Sequence, residues 1–286
     1  MENPDKINVI SSASDLKQQI AIWKTNPSCT VGFVPTMGAL HEGHLKLVEK
    51  AIQENDFVVV SIFVNPTQFN NPADLSLYPR TLENDLLLLS KIGSCFVFTP
   101  SIIDVYPEHD PYKPIHLQGL DATMEGEFRP GHFQGVVHVV HNLFNLVLPN
   151  KAYFGKKDFQ QLAIIRFMNS YFYFPIEIVA CETIRESNGL AMSSRNVRLS
   201  DEEKNDALVI IDSLYLMKEL KENGLPPTEA ERKCIWFFNQ SNLKLEYLTL
   251  VDSETLKPLL TEWSTKTTCC IAAQCGAVRL IDNLEF

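Results

Sequence analysis

Residues 30–44 read Thr30-Val31-Gly32-Phe33-Val34-Pro35-Thr36-Met37-Gly38-Ala39-Leu40-His41-Glu42-Gly43-His44. The apolar run Thr30–Val34 suits a buried strand, and beyond His44 the residues Leu45, Val48, Ala51 and Ile52 fall at helical spacing. A Gly-containing turn therefore delivers two imidazoles to a helix N-terminus at a strand's carboxyl end. Unpaired backbone N–H groups there favour an anion, and His side chains add donors where charge develops during reaction. Such a turn suits an enzyme that activates a substrate with a nucleotide. Two bland readings compete with it. As a metal pair, His41 and His44 are poorly placed at a turn with Gly43 between them; as plain structure, one caps the helix and the other meets solvent.

Outward from this stretch the pattern repeats. Strand-like runs at Thr30–Val34, Val58–Val64, Cys95–Thr99, Ala152–Gly155 and Ile176–Thr183 alternate with helical patterns at His44–Glu54, Thr81–Ile92, His132–Val147 and Asp158–Tyr171. That alternation predicts an α/β fold, a doubly wound parallel sheet with helices on both faces. In His132–Val147, Phe133, Val136, Val137, Val140, Phe144 and Val147 form one apolar stripe. After Asn196 the character changes: Ser200-Asp201-Glu202-Glu203 is a capping box opening a helix to about Asn223, and Gly224-Leu225-Pro226-Pro227 ends it. A helix at Thr228–Asn239 and strands at Glu246–Val251, Thr268–Ala273 and Ala277–Ile281 follow. The expected division is a larger domain over residues 1–184 and a smaller α+β domain over 185–286.

The chain has 286 residues, 45% of them apolar, and a net charge of −10. That charge excludes broad nucleic-acid binding, so any phosphate contact must come from a local cluster. Seven cysteines, odd in number and without a C-x-x-C pair, argue against a disulfide framework and a thiolate zinc site. With a polar start at Met1–Asn8 and no run of about 18 apolar residues, the expectation is a cytoplasmic protein with no membrane partner.

Further polar stations stand at strand ends, where open parallel sheets bind ligands. Asn65 and Gln68 follow the second strand; neutral amides there suit a small polar ligand, although Asn65-Pro66 alone is a turn signal. Arg129 precedes a helix and suits a carboxylate clamp or a surface charge. His138 and His141 read as polar helix positions. Lys157 suits a phosphate contact, whereas Asp158 and Gln161 satisfy a capping box without any ligand. The Met192-Ser193-Ser194-Arg195 loop offers hydroxyls and a guanidinium for triphosphate oxygens.

Taken in order, Pro35–His44 (PTMGALHEGH), Ser61–Phe69 (SIFVNPTQF), Tyr78–Thr81 (YPRT), Arg129–Phe133 (RPGHF), Phe154–Leu162 (FGKKDFQQL) and Gly189–Asn196 (GLAMSSRN) resemble the pantoate–β-alanine ligase family. That family belongs to the nucleotidylyltransferase-like, Rossmann-like superfamily; its His-x-Gly-His and Ser-Ser-Arg strings look like counterparts of the class I aminoacyl-tRNA synthetase signatures. The resemblance implies ATP-dependent condensation of (R)-pantoate with β-alanine to pantothenate, AMP and pyrophosphate through a bound pantoyl adenylate, and a homodimer. It implies that Met37, Gly38, Ala39, Leu40, His41, Glu42, Gly43 and His44 hold ATP with Gly155, Lys156, Lys157, Asp158, Ile184, Met192, Ser193, Ser194 and Arg195. Among these, His41, His44, Lys157, Ser193, Ser194 and Arg195 would be catalytic. Asp158 would meet the ribose and Ile184 the adenine. Gln68, Gln161 and Asn65 would bind pantoate, Gln68 also β-alanine, and Mg²⁺ would ride mainly on phosphate oxygens with Asp85 as its protein ligand.

Lys156 replaces the family's commoner Glu, and Ser187-Asn188 replaces Ala-Asp, changes expected to make the site more positive. Two rival readings remain at this level. An adenylyltransferase acting on a phosphate ester would share the histidines but need no paired Gln68 and Gln161; a nucleotide-sensing scaffold would lose some of the charged stations, all of which are present.

Overall fold

The computed structural model describes residues 7–70 and 72–286; Met1–Lys6 and Asn71 lie outside them. Six strands, β1 (Asn8–Ile10), β2 (Val31–Thr36), β3 (Phe57–Ile62), β4 (Phe96–Phe98), β5 (Lys151–Gly155) and β6 (Glu177–Cys181), form one sheet in the order β1-β4-β3-β2-β5-β6. Every pairing is parallel, with Val31 opposite Phe57 and Ala152 opposite Ile178. From β2 the chain winds outward through β3 and β4, then returns to the other side of β2 for β5 and β6. The strand order thus reverses between β2 and β5, and the crevice beyond their carboxyl ends is where such sheets take ligands.

The expected elements form with small shifts at their ends. The His132–Val147 helix has the predicted span and buries its apolar stripe; Phe144 and Val147 are fully covered. The first strand was not legible. β1 has three residues, and its helix Ala13–Trp23, capped by Ser12 accepting the Asp15 N–H at 3.1 Å, buries Leu16, Ile20 and Trp23 against the same core.

A second sheet is antiparallel, β7 (Lys244–Asp252), β8 (Thr267–Cys275) and β9 (Val278–Glu285). One of its faces, carrying Cys269, Ile271, Ala273 and Leu280, packs on the helices Leu208–Glu222 and Pro227–Phe238 through Leu214, Met217, Cys234 and Phe238. The Ser200 capping box forms in both directions, but the helix it opens breaks at Ala207 instead of running on to Asn223. Toward the large sheet the small one turns Tyr247, Val251 and Cys270, which pack on Met124 and Phe159. Six of the seven cysteines are buried and all are free thiols. Among the described residues no helix is long and apolar enough to cross a membrane.

Candidate active site

The turn after β2 is closed by its own histidines and by Asp85 from the helix Leu82–Ser90. Gly38 and Ala39 take left-handed backbone, φ 80° and 50°, which points the Ala39 and Leu40 N–H groups at one buried carboxylate. Asp85 accepts them at 3.0 and 2.8 Å and the Thr81 hydroxyl at 3.2 Å. His41 is the N-cap of the helix Glu42–Glu54: its Nδ1 accepts the Gly43 N–H at 3.1 Å, and His44 Nδ1 accepts the His41 N–H at 3.4 Å. The two rings lie 4.0 Å apart. The glycine between them is sterically required, because a Cβ on Gly43 would stand 2.9 Å from the His41 ring.

Desolvation, reinforced by the Lys157 ammonium, lowers the His41 imidazole to about 4. Desolvation, then His41, then Lys157 take His44 to about 3. Both rings are neutral near pH 7, and since each Nδ1 accepts a backbone N–H, each proton sits on Nε2. Two uncharged Nε2–H donors are thereby fixed at a helix N-terminus. Capping and ligand binding, rival readings of His41 in the sequence, use different nitrogens of one ring.

Both histidines line a cleft of about 240 Å³ together with Met37, Gly43, Asn65, Gln68, Gly155, Lys157, Asp158, Gln161, Ile184, Met192 and Ser193–Arg195. Most of the expected residues, from five separate segments, thus meet at the crevice between β2 and β5. Asn65 lines it but is buried and fully engaged. Its amide donates to Gln68 Oε1 at 3.0 Å and the Gly135 carbonyl at 3.2 Å, and its oxygen accepts from Tyr106 at 2.7 Å and from Thr67. Asn65 therefore fixes the Gln68 amide, whose Nε2 reaches Met37 Sδ at 3.3 Å.

Asp85 is the clear correction. It is fully buried, its oxygens are spent on backbone N–H groups and Thr81, and it is absent from the cleft wall. It sits here because it neutralises the strained turn, and so it does not fit a Mg²⁺ ligand. The described residues contain no cluster of three His, Cys, Asp or Glu side chains able to hold a metal.

A second correction concerns Asp158 and Gln161, whose expected capping box does not form. Asp158 is the N-cap of the helix Phe159–Tyr171 with no side-chain cap bond, so both side chains face the cleft without that structural duty. Lys156, expected to make the site more positive, pairs with Glu182 at 2.5 Å and is not among the residues lining the cleft. The Asn188 oxygen merely accepts the Leu190 N–H at 3.2 Å.

The Met192–Arg195 loop is braced from inside and outside. Ser193 Oγ accepts the Arg195 N–H at 3.2 Å, Ser194 Oγ lies 3.4 Å from the Tyr78 hydroxyl, and Arg195 pairs with Asp74 at 2.9 Å while standing 5.8 Å over the Tyr78 ring. The Ile184 carbonyl is already bonded to the Met192 N–H at 3.0 Å.

Sequence reading gave no role to Tyr78 or His132. His132 opens its helix with Nδ1 2.8 Å from the Gln68 carbonyl, pinning the turn that carries Gln68. The Tyr78-Pro79-Arg80-Thr81 and Arg129–Phe133 strings were the available signals. His138 and His141 are, as expected, helix positions: His138 pairs with Asp110 at 2.6 Å and stacks on Tyr112.

A family model described as pantoate-beta-alanine ligase matches residues 8–285. The chain belongs to the pantoate-beta-alanine ligase family. It is 49% identical to a pantothenate synthetase of Phocaeicola vulgatus over 288 residues and 45% identical to one of Bacteroides fragilis over 287, each alignment spanning 98% of this chain and 99% of the relative. The fold is similar to a crystal structure of pantothenate synthetase from Thermus thermophilus, with TM-score 0.90, 44% identity and coverage of 97% and 98% of the two chains. It also resembles a Francisella tularensis pantoate-beta-alanine ligase complexed with "Beta-gamma ATP and Beta-alanine", TM-score 0.73, 33% identity, coverage 98% and 97%. Membership at this coverage makes the chain an ATP-dependent ligase that condenses pantoate with β-alanine.

Proposed function

We propose that the cleft runs this condensation in two half-reactions through a bound acyl adenylate. In the first, a pantoate carboxylate oxygen bonds to the α-phosphorus of ATP as the bond to the β-phosphate oxygen breaks and pyrophosphate leaves. In the second, the β-alanine amine attacks the acyl carbon, the acyl–phosphate bond breaks, AMP leaves and the amine sheds a proton. No protein nucleophile is needed; the residues position two anions and stabilise charge added at phosphorus.

The observation that carries the reading is the pair of neutral Nε2–H donors of His41 and His44 in one cleft with Lys157. Arg195 and the Ser193 and Ser194 hydroxyls complete the phosphate end, Gly155–Asp158 with the Ile184 backbone serve the nucleoside, and from the expected stretch Met37–His44 the residues Met37, His41, Gly43 and His44 line the phosphate path. The other end suits pantoate over a phosphate ester: it offers the amides Gln68 and Gln161 beside Phe63, Val136, Val139, Val140 and Leu143, matching a carboxylate on a branched aliphatic body. Gln68 also serves β-alanine. Mg²⁺ would come with the triphosphate and would neutralise part of its charge.

The same reading takes residues 1–184 as the catalytic domain, 185–286 as its cover, the molecule as a homodimer and the compartment as the cytoplasm. The free, buried thiols suit a reducing compartment; sedimentation tests the dimer. The decisive experiment is exchange of labelled pyrophosphate into ATP with pantoate present and β-alanine absent. Exchange is expected. Its absence from folded enzyme, or release of ADP and phosphate, would overturn the adenylate route.

A further inference from the structure

The turn that carries Lys157 is held from the other sheet. Asn283, on β9, donates from Nδ2 to the Lys156 carbonyl at 3.0 Å and to the Lys157 carbonyl at 2.8 Å. Both protons of one buried amide are spent on two consecutive carbonyls. A third bond, from the Lys156 N–H to the Cys181 carbonyl at 2.8 Å, ties the turn to β6. The helix that follows adds nothing, since Asp158 makes no cap.

The placement of Asn283 is itself braced. On the same face of β9, Arg279 forks onto Glu125 at 2.8 and 2.7 Å and bonds Glu246 at 2.8 Å, and Tyr247 donates to Glu125 at 2.8 Å. The preceding residue, Asp282, accepts from Arg185 at 2.6 and 3.1 Å, and Arg185 holds the Gly189 carbonyl at 3.1 Å in the loop leading to Ser193. A flexible lysine stem is useful only if its backbone is fixed, and here the small sheet supplies the fixing.

We propose that Asn283 is a positioning residue for adenylate formation, locking the Lys156–Lys157 turn so that the Lys157 ammonium stands opposite His41 and His44. This rests on the reading of Lys157 as a phosphate contact. Without the two donors the carbonyls lose their partners and the turn relaxes toward other orientations of the lysine. Displacement of a charged group from its working position is felt in rate more than in ligand affinity. The second half-reaction, in which pyrophosphate has already left, is far less dependent on Asn283.

The test is a cycle of Asn283→Ala, Lys157→Ala and the double variant, each shown folded by circular dichroism, read by pantoate-dependent pyrophosphate exchange and by single-turnover capture of preformed adenylate with β-alanine. Asn283→Ala should slow exchange by about 10- to 100-fold and change adenylate capture by less than about threefold. In the Lys157→Ala background it should cost less than about threefold more, because the group it positions is gone. If the two losses multiply in the double variant, or exchange survives Asn283→Ala, the proposal is wrong. If Lys157→Ala alone leaves exchange intact, the phosphate role of Lys157 fails first and the proposal with it. Should Asn283→Ala not fold, Asn283→Asp, similar in shape but without the amide donors, carries the same test, and wild-type exchange in that variant overturns the proposal.

Discussion

The turns after β2 and after β5 flank one crevice, and each reads in sequence as strand, glycine and helix start. They are built differently. The first is held by elements of its own sheet layer: His41 and His44 accept N–H groups at the start of one helix, and Asp85, from the helix Leu82–Ser90, gathers two more. The second has no side-chain cap, and its carbonyls are gathered by Asn283, more than a hundred residues downstream. A locally closed turn keeps its geometry as long as its own sheet is intact, whereas the second depends on a separate sheet being docked.

That contrast is easiest to break at His41. His41→Ala is expected to lower pyrophosphate exchange by about two to three powers of ten, the scale of losing one donor to a transition state. His41→Asn restores a cap acceptor and should recover the melting temperature without recovering exchange. Recovery of both would make His41 a cap and nothing more. On the second turn, Lys157→Ala should reduce exchange by about 100-fold while leaving the melting temperature near wild type; a large loss of stability would mean that the lysine braces the turn instead of serving it.

Asp85 sharpens the comparison from the side of stability. Asp85→Asn exchanges one acceptor for a donor facing backbone N–H groups and should cost about 2 kcal/mol in denaturant unfolding. The Mg²⁺ concentration giving half-maximal rate should not move; a shift of several-fold would return Asp85 to the metal.

The first turn also has a titration signature. His41 and His44 sit near 4 and 3 when folded against 6.5 as the ordinary value, so as pH falls below 6.5 the unfolded chain takes up protons first. Stability from keeping these rings neutral is complete above 6.5 and is lost as pH falls toward 4 and then 3. The melting temperature should decline across that window, less steeply in His44→Asn, and kcat/KM for ATP should keep its acid limb near 4 instead of 6.5. An acid limb at 6.5 would mean that the rings titrate at their ordinary value during turnover, and a fall in rate as pH rises through that range would mean that they are charged in use. The smallest effect on the fold is expected at Gln161: with no capping box formed, Gln161→Ala should change stability by less than about 0.5 kcal/mol while raising the KM for pantoate. Unchanged pantoate kinetics would remove it from the site.

Much of this was legible beforehand because the signals are local. Alternating strand and helix periods gave the winding of the large sheet, and strand-end motifs named many of the polar residues that line the cleft, though not Tyr78, His132 or its apolar wall. β1 escaped because three residues carry too little pattern, and the Asp158–Gln161 box was over-read because spacing permits a cap that the backbone at Asp158, φ −89° and ψ 60°, does not make.

The sequence by itself determined that a parallel sheet would present histidines, amides, a lysine and a Ser-Ser-Arg loop at its strand ends, since periodicity and turn residues act over a few positions. Tertiary structure alone decided what each polar group is spent on. Asp85, similar on paper to any acid in a first helical turn, is buried under a strained loop; Lys156 is paired with Glu182; and Asn283 holds the turn of a residue far away. Hydrogen-bond partners are chosen by proximity in space, because a buried donor or acceptor must find a mate wherever the fold brings one within about 3 Å.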